Sequence, residues 1–441
     1  MSEIYEVFLD TIDGITMAGE LLVSRNRNVF NVPHFQFTYS EQYLASASSF
    51  ALSTDLPLKR DVFRGWSADR EMLGAFADAM PDRWGKRLIE RKVGATRLAD
   101  IDYLLNVPDF TRQGALRISG DGGKSFLGSD FSCVGIDELS EIHQTIQRYV
   151  AGKANEADVN KMIFTGSQTN GGQFPKTVLV DDDGDLCIAK FQGDEQLASP
   201  HWEAACLAMA RDAGIEVPNF CHYWLDDISI LVEKRFDRLR QTATTNNYSG
   251  QQRQTTTPDT CAGKKQSCDC GVLQSNCDSH NRVPYMSAET FMMLPSNPIF
   301  ITPYTVFAQK LHRQISPVES RKLFDRVAFL LMVNNTDDHW KNHGLLHIKG
   351  QWELAPLFDV NPTTSPDPYD LPQLTGRMEV KRSLASLLAS ADAYGMKEAK
   401  AKESIERIAA IVRQWRSYAE RYARSEAEIE QREAAFTMWE R

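Results

Sequence analysis

The chain has 441 residues, 42% hydrophobic and 24% charged, the balance of a globular protein of about two to three domains at roughly 150 residues each. Asp plus Glu number 59 against 49 Lys plus Arg, a formal charge of −10, so nucleic acid is not expected as the main direct partner. The longest strongly apolar run, Val327 to Val333, falls far short of the roughly 20 residues that cross a bilayer, and Met1 to Tyr5 lack the basic-then-apolar order of a signal peptide. A cytoplasmic location with no membrane partner is the expectation.

Residues 1–120 read as a small mixed N-terminal domain. Ile4 to Leu9, Gly19 to Val23 and Val29 to Phe37 are short apolar runs between turns, and Glu71 to Lys92 is an amphipathic segment expected to be helical. A linker with a connecting helix follows over 121–158, where Ser119 to Gly128 carries four glycines and Ile136 to Ala151 has helical spacing.

Over 159–240 the order becomes informative. A glycine-containing loop, Gly166 to Lys176, leads into predicted strands Thr177 to Val180 and Leu186 to Phe191, the second carrying Lys190 near its end. A helix follows over His201 to Ala213, stopped at Gly214, then strand-like Phe220 to Trp224 and Ile228 to Val232. Loop, hairpin with a lysine, helix, hairpin is the order of a kinase N-lobe. Glycines let backbone N–H groups approach phosphates, and a lysine at a strand end supplies a point charge for them, so Gly171, Gly172, Lys176 and Lys190 are candidate ATP contacts. Glu203, early in the helix, is either a partner for Lys190 or an exposed helical acid.

Residues 241–282 break the pattern. Gln, Thr, Asn and Ser fill 21 of these 42 positions, too polar a stretch to offset its ordering entropy by burial, and a polar insertion is expected. Four of the eight cysteines lie on it, Cys261, Cys268, Cys270 and Cys277; they are read either as part of an unstructured surface segment or as four thiolates closing on Zn²⁺. The other four, Cys133, Cys187, Cys206 and Cys221, sit in apolar segments and are expected as reduced thiols. Residues 283–441 read as a largely helical C-lobe, with Ser287 to Met293, Arg321 to Val333 and Ser383 to Ala435 helical.

The densest polar motif, Asn335-Thr336-Asp337-Asp338-His339-Trp340-Lys341-Asn342, directly follows the apolar helix. Asp337 and Asn342 have the Asp-x-x-x-x-Asn spacing of a kinase catalytic loop, where the aspartate accepts the proton of the attacking hydroxyl and the asparagine ligates Mg²⁺. After a predicted hairpin, Pro356-Leu357-Phe358-Asp359 delivers a carboxylate suited to the same metal, because Mg²⁺ takes hard oxygen ligands. His339 is read as a residue that orients this loop by hydrogen bonds.

With these residues in view, the chain resembles the HipA family, serine/threonine kinase toxins of bacterial toxin–antitoxin modules. The resemblance lies in Leu52 to Leu58 and Phe76 to Gly85 of the first part, and in Gly171 to Lys176, Glu233 to Arg238, Asp337 to Asn342 and Pro356 to Asp359 of the second. It implies an α+β fold: a small N-terminal mixed domain followed by a two-lobed protein-kinase-like domain with a largely helical C-lobe. It further implies ATP and Mg²⁺ as cofactors, Asp337 as base, Asn342 and Asp359 on the metal, Lys190 on the phosphates, and Glu233, Lys234, Arg235 and Phe236 near the adenine. A small helix-turn-helix, HipB-like DNA-binding antitoxin, operator DNA reached through it, and a protein substrate such as an aminoacyl-tRNA synthetase are the implied partners. Family members carry an autophosphorylated serine in the glycine loop; here the aligned position is Thr169, with Ser167 two residues earlier. The competing reading is a non-enzymatic, kinase-shaped corepressor that holds an antitoxin on its operator.

Overall fold

The computed structural model describes residues 2–25, 34–65, 72–95, 98–128, 134–164, 175–192, 199–225, 227–240, 280–294, 302–364 and 382–440. Gly171, Gly172, Thr169 and Ser167, and the cysteines Cys133, Cys261, Cys268, Cys270 and Cys277, lie outside them. The Cys187 and Cys206 thiols are buried and that of Cys221 is half-buried.

Strands β1 (Ser2–Thr11), β2 (Gly14–Ser24), β3 (His34–Tyr39), β4 (Phe63–Arg64) and β5 (Leu116–Ser119) form an antiparallel sheet in the order β4-β3-β2-β1-β5. Alternate residues such as Val7 and Leu9 are buried on one face with Leu21, Val23 and Phe37, as a period of two requires of a sheet with one covered side. Phe76 and Leu104, from α2 (Gly74–Asp78) and α4 (Asp100–Asn106), join the same core, as does Tyr43 of α1 (Glu41–Ala45).

The amphipathic segment expected as one helix over 71–92 is two, α2 and α3 (Arg83–Val93). Pro81 has no N–H for the helical ladder and biases Met80 away from helical backbone. Asp82 then restarts the helix as its N-cap, its carboxylate accepting from the Gly85 N–H at 2.7 Å. This break turns α3 across the molecule, so that Trp84 and Leu88 pack on the next domain together with α5 (Leu139–Val150) and α6 (Glu156–Phe164).

That next domain opens with an antiparallel sheet, β6 (Lys176–Val180), β7 (Leu186–Phe191), β8 (Phe220–Leu225) and β9 (Ile228–Lys234), in the order β6-β7-β9-β8. Helix α7 (Pro200–Asp212) lies between this sheet and the helical lobe, and every residue from Pro200 to Ala210 is buried, the pattern of a helix covered on all sides. A two-stranded ribbon, β10 (Arg238–Arg240) with β11 (His280–Arg282), brings Arg240 opposite His280. The polar stretch expected to run to 282 therefore gives way by His280 to ordered strand, where Arg282 is buried.

The C-terminal lobe comprises a small sheet, β12 (Tyr285–Ser287), β13 (Gly344–Ile348) and β14 (Gln351–Leu354), and helices α8 (Ala288–Met292), α9 (Tyr304–Gln314), α10 (Pro317–Met332), α11 (Leu384–Ala389), α12 (Glu398–Val412), α13 (Trp415–Tyr422) and α14 (Glu426–Thr437). The stretch 383–435, read from sequence as helical, is thus four helices. A 3₁₀ turn at Ala391–Tyr394, closed by Gly395 at φ 68°, separates α11 from α12. Among the described residues no helix is long and apolar enough to cross a membrane.

The N-terminal domain is bonded to the strand that leaves the second sheet. Arg235 gives Nη1 to the Thr111 carbonyl at 2.8 Å and grips Asp237 through Nε and Nη2 at 2.8 and 2.7 Å. Asp237 also accepts from the Gly114 N–H at 2.8 Å, and Arg238 donates to the Arg112 carbonyl at 2.7 Å. Arg282 reaches Asp109 at 2.8 Å. Burial alone would raise the pKa of Asp237, but the facing charges of Arg235 and Arg238 hold it well below the ordinary carboxylate value.

Candidate active site

Lys190 stands opposite Leu231 in the β7–β9 register, and Ile188 opposite Glu233, so Lys190 and Glu233 project on one face of the sheet two positions apart. That face meets α7. Lys190 Nζ lies 2.6 Å from Glu203 Oε1 and 2.8 Å from Glu233 Oε2. Burial works against the lysine's charge, but Glu203, Glu233 and Asp359 together overcome it and push its pKa up, so the cation is permanent. Of the two readings of Glu203, the structure selects the partner: its side chain is buried on Lys190. Glu233 Oε1 is buried without a hydrogen-bond partner among the described residues.

The catalytic-loop motif begins where α10 ends. Asn334 turns the chain at φ 50° and is held by Arg382, whose Nη1 donates to Asn334 Oδ1 at 2.9 Å and whose Nη2 reaches the Asn335 carbonyl at 3.0 Å. Asp338 is buried and accepts from the Tyr304 hydroxyl and, at 3.0 Å, pairs with His343 Nε2. This fixes the middle of the loop and leaves its neighbour Asp337 exposed to solvent. The loop-orienting histidine is thus His343 and not His339. The His339 side chain is exposed, lines the cleft and makes no hydrogen bond to another described residue. Asn342 lies beside Asp337, its Nδ2 donating to the Asp337 carbonyl at 3.2 Å, which leaves its amide oxygen available to a cation.

Asp359 is delivered by the turn after β14 with φ 59°, and its Oδ1 accepts from Asn361 Nδ2 at 3.3 Å. The two loops are stitched together: Asn361 N–H donates to Asn335 Oδ1 at 3.0 Å and Thr363 N–H to the Asn334 carbonyl at 3.2 Å. Lys190, Glu233, Asn342, Asp359, His339 and Lys341 therefore line one cavity of about 690 Å³. Phe236 and Phe358 form an aromatic wall of it, ring centroids 5.4 Å apart. The oxygens of Asn342 and Asp359 are the hard donors that Mg²⁺ takes, and the cavity has the size of a nucleotide site.

Three sequence candidates have other engagements. Lys176 is buried and paired with Asp82 of the N-terminal domain at 2.6 Å, Lys234 pairs with Asp185, and Arg235 is the buried clasp described above. All three still border the cavity, and so do Asp78, Arg83 and Arg87 of the N-terminal domain, which the motif reading did not include. A helix-breaking Pro81-Asp82 was the available signal that α3 turns toward the site.

Residues 12–118 match the family model of the HipA N-terminal domain and residues 169–415 that of the HipA-like C-terminal domain. The HipA of Shewanella oneidensis MR-1, solved with HipB and operator DNA, superimposes with a TM-score of 0.64 at 16% identity, covering 99% of this chain and 96% of that one. The Helicobacter pylori proinflammatory kinase CtkA gives a TM-score of 0.38 at 12% identity over 62% of this chain and 88% of its own, too distant a likeness to weigh. No curated protein sequence matches. With the two domain matches lying in order along the chain, and the second alone spanning more than half of it, the protein belongs to the HipA family.

Proposed function

We propose that the chain is an ATP- and Mg²⁺-dependent serine/threonine protein kinase acting as the toxin of a toxin–antitoxin module. The observation that carries this reading is the convergence on one cavity of Lys190, Asn342 and Asp359, with Glu203 paired to Lys190 behind it and the exposed Asp337 next to Asn342. In the mechanism, Asp337 accepts the proton of a seryl or threonyl hydroxyl and orients its oxygen for in-line attack on the γ-phosphorus. Lys190, held protonated, supplies a fixed positive charge to the phosphates, and Phe236 and Phe358 offer flat apolar surface to the base. Asn342 and Asp359 would hold Mg²⁺, which supplies neutralisation of phosphate charge when bound.

A HipB-like helix-turn-helix antitoxin, and operator DNA reached through it, are the proposed partners, consistent with the net charge of −10 and with what the Shewanella HipA was solved with. A translation component such as an aminoacyl-tRNA synthetase is the proposed substrate. The corepressor reading is compatible with catalysis, but a scaffold has no use for an aspartate left bare next to a hard-oxygen pair. The deciding experiment is label transfer from γ-labelled ATP to proteins of a bacterial lysate. Asp337→Gln is expected to lose transfer by on the order of 10²–10⁴-fold with an unchanged urea midpoint; transfer at the wild-type rate rejects the assignment.

A further inference from the structure

Helix α7 brings Glu203 to Lys190, yet much of what fixes that helix comes from the end of the chain. Glu428, Arg432 and Phe436 recur every four residues on one face of α14 and meet α7 or the loop after Asp359. The Glu428 carboxylate pairs with His201 Nε2, while His201 Nδ1 lies 2.6 Å from Ser199 Oγ, just before the helix. The Arg432 guanidinium sits over the Trp202 indole, 5.5 Å from its centroid, and its Nη1 donates to the Pro362 carbonyl at 2.9 Å. Phe436 packs on Trp202 at 6.1 Å and stacks on Trp415 at 5.1 Å. Trp202 immediately precedes Glu203, and Pro362 follows Asp359 by three residues.

We infer that α14 is a latch that sets the Lys190–Glu203 pair and the Asp359 loop in register, with Arg432 as its positioning residue. This rests on the phosphoryl-transfer reading above. Arg432 touches neither reacting group; it grips the residue beside one and the carbonyl beyond the other, so one planar cation bridges α7 and the Asp359 loop. A guanidinium suits this task because it can stack on an indole face and donate in its own plane at once. An error of about 1 Å in such a constellation is enough to cost about 10²-fold in rate. The family match over 169–415 ends before α14 begins.

The test measures kcat and KM for ATP, by label transfer to lysate protein, for full-length wild type, Arg432→Ala, Arg432→Lys, Glu203→Gln and the Arg432→Ala/Glu203→Gln pair, with a urea midpoint for each. Arg432→Ala is expected to lower kcat about tenfold, leave KM for ATP within about twofold and keep its midpoint near wild type. Arg432→Lys, which retains a cation and a donor, recovers most of the loss. Because Arg432 acts in part through Glu203, adding Arg432→Ala to Glu203→Gln costs clearly less than the tenfold it costs the wild type. If Arg432→Ala folds poorly, Arg432→Gln takes its place in the same cycle. Full activity in Arg432→Ala, or the whole loss persisting in the Glu203→Gln background, overturns the latch while leaving the kinase reading intact. A wild type that transfers no label removes both.

Discussion

Two groups of charged residues sit within this molecule, and they are built from the same side chains to opposite ends. At the junction of the N-terminal domain with the second sheet, Asp237 uses both carboxylate oxygens on Arg235, Arg238 and the Gly114 N–H, and is almost wholly buried. At the other group, Asp337 is exposed beside Asn342 with no side-chain partner among the described residues, and Asp359, which lines the cleft, accepts one long bond from Asn361. An acid whose lone pairs are all taken holds the fold, whereas an acid left under-satisfied beside a cavity is available to a ligand. The number of partners, rather than residue type or charge, separates the two classes.

Substitutions in the cleft should show the largest effect, and on rate alone. Asp359→Asn removes the charge proposed to hold the metal, on which no structural bond depends, so transfer should fall by on the order of 10²–10⁴-fold while stability moves by less than about 0.5 kcal/mol, measured by label transfer beside urea unfolding. A large loss of stability would place Asp359 with Asp237 and collapse the comparison. Asp237→Ala should do the reverse: about 3–5 kcal/mol of stability is lost because Arg235 and Arg238 are left buried without their counter-charge.

The pH dependence sharpens the contrast at one interface. Asp78, on α2, accepts from the Ser287 N–H at 2.8 Å and the Ser287 hydroxyl at 2.7 Å, joining the N-terminal domain to β12. Burial pushes its pKa from 3.8 up to about 6, the hydrogen bonds from Ser287 only partly offsetting this. A raised acid favours the folded state when protonated, so its contribution is present at about pH 4 and lost as pH rises through 6, about 3 kcal/mol in all. Asp237, lowered, contributes above its unfolded pKa and loses that contribution as pH falls. Asp78→Asn should therefore gain stability relative to wild type between pH 4 and 7 in urea titrations; an unchanged difference across that range contradicts the assignment. The smallest effect is expected for Lys400→Ala, whose partner Glu403 is a neighbour on an exposed helix face: less than about 0.5 kcal/mol by the same titration.

How much of this was legible in the sequence follows from how local each feature is. The Asp337 to Asn342 spacing is contained in one loop and could be read directly, and Lys190 could be placed because strand, turn and helix signals flank it. The loop's true anchor was missed. His339 and His343 are both near Asp337, and the packing of Tyr304 and Phe307 from α9 makes His343 the buried one. The clasp made by Arg235 was hidden for the same reason: its partners Thr111 and Arg112 lie more than 120 residues earlier, and no periodicity announces a contact of that span. The break in the 71–92 segment, by contrast, was announced by Pro81-Asp82.

The β10–β11 ribbon has a consequence for the chain as an object to be engineered. Arg240 and His280 are paired in register across adjacent strands, which need no long connection between them. Replacing residues 241–279 by a tight turn of a few residues should keep the ribbon and the rest of the chain in place. The same seam is the natural point at which to graft a foreign domain onto this kinase-like scaffold.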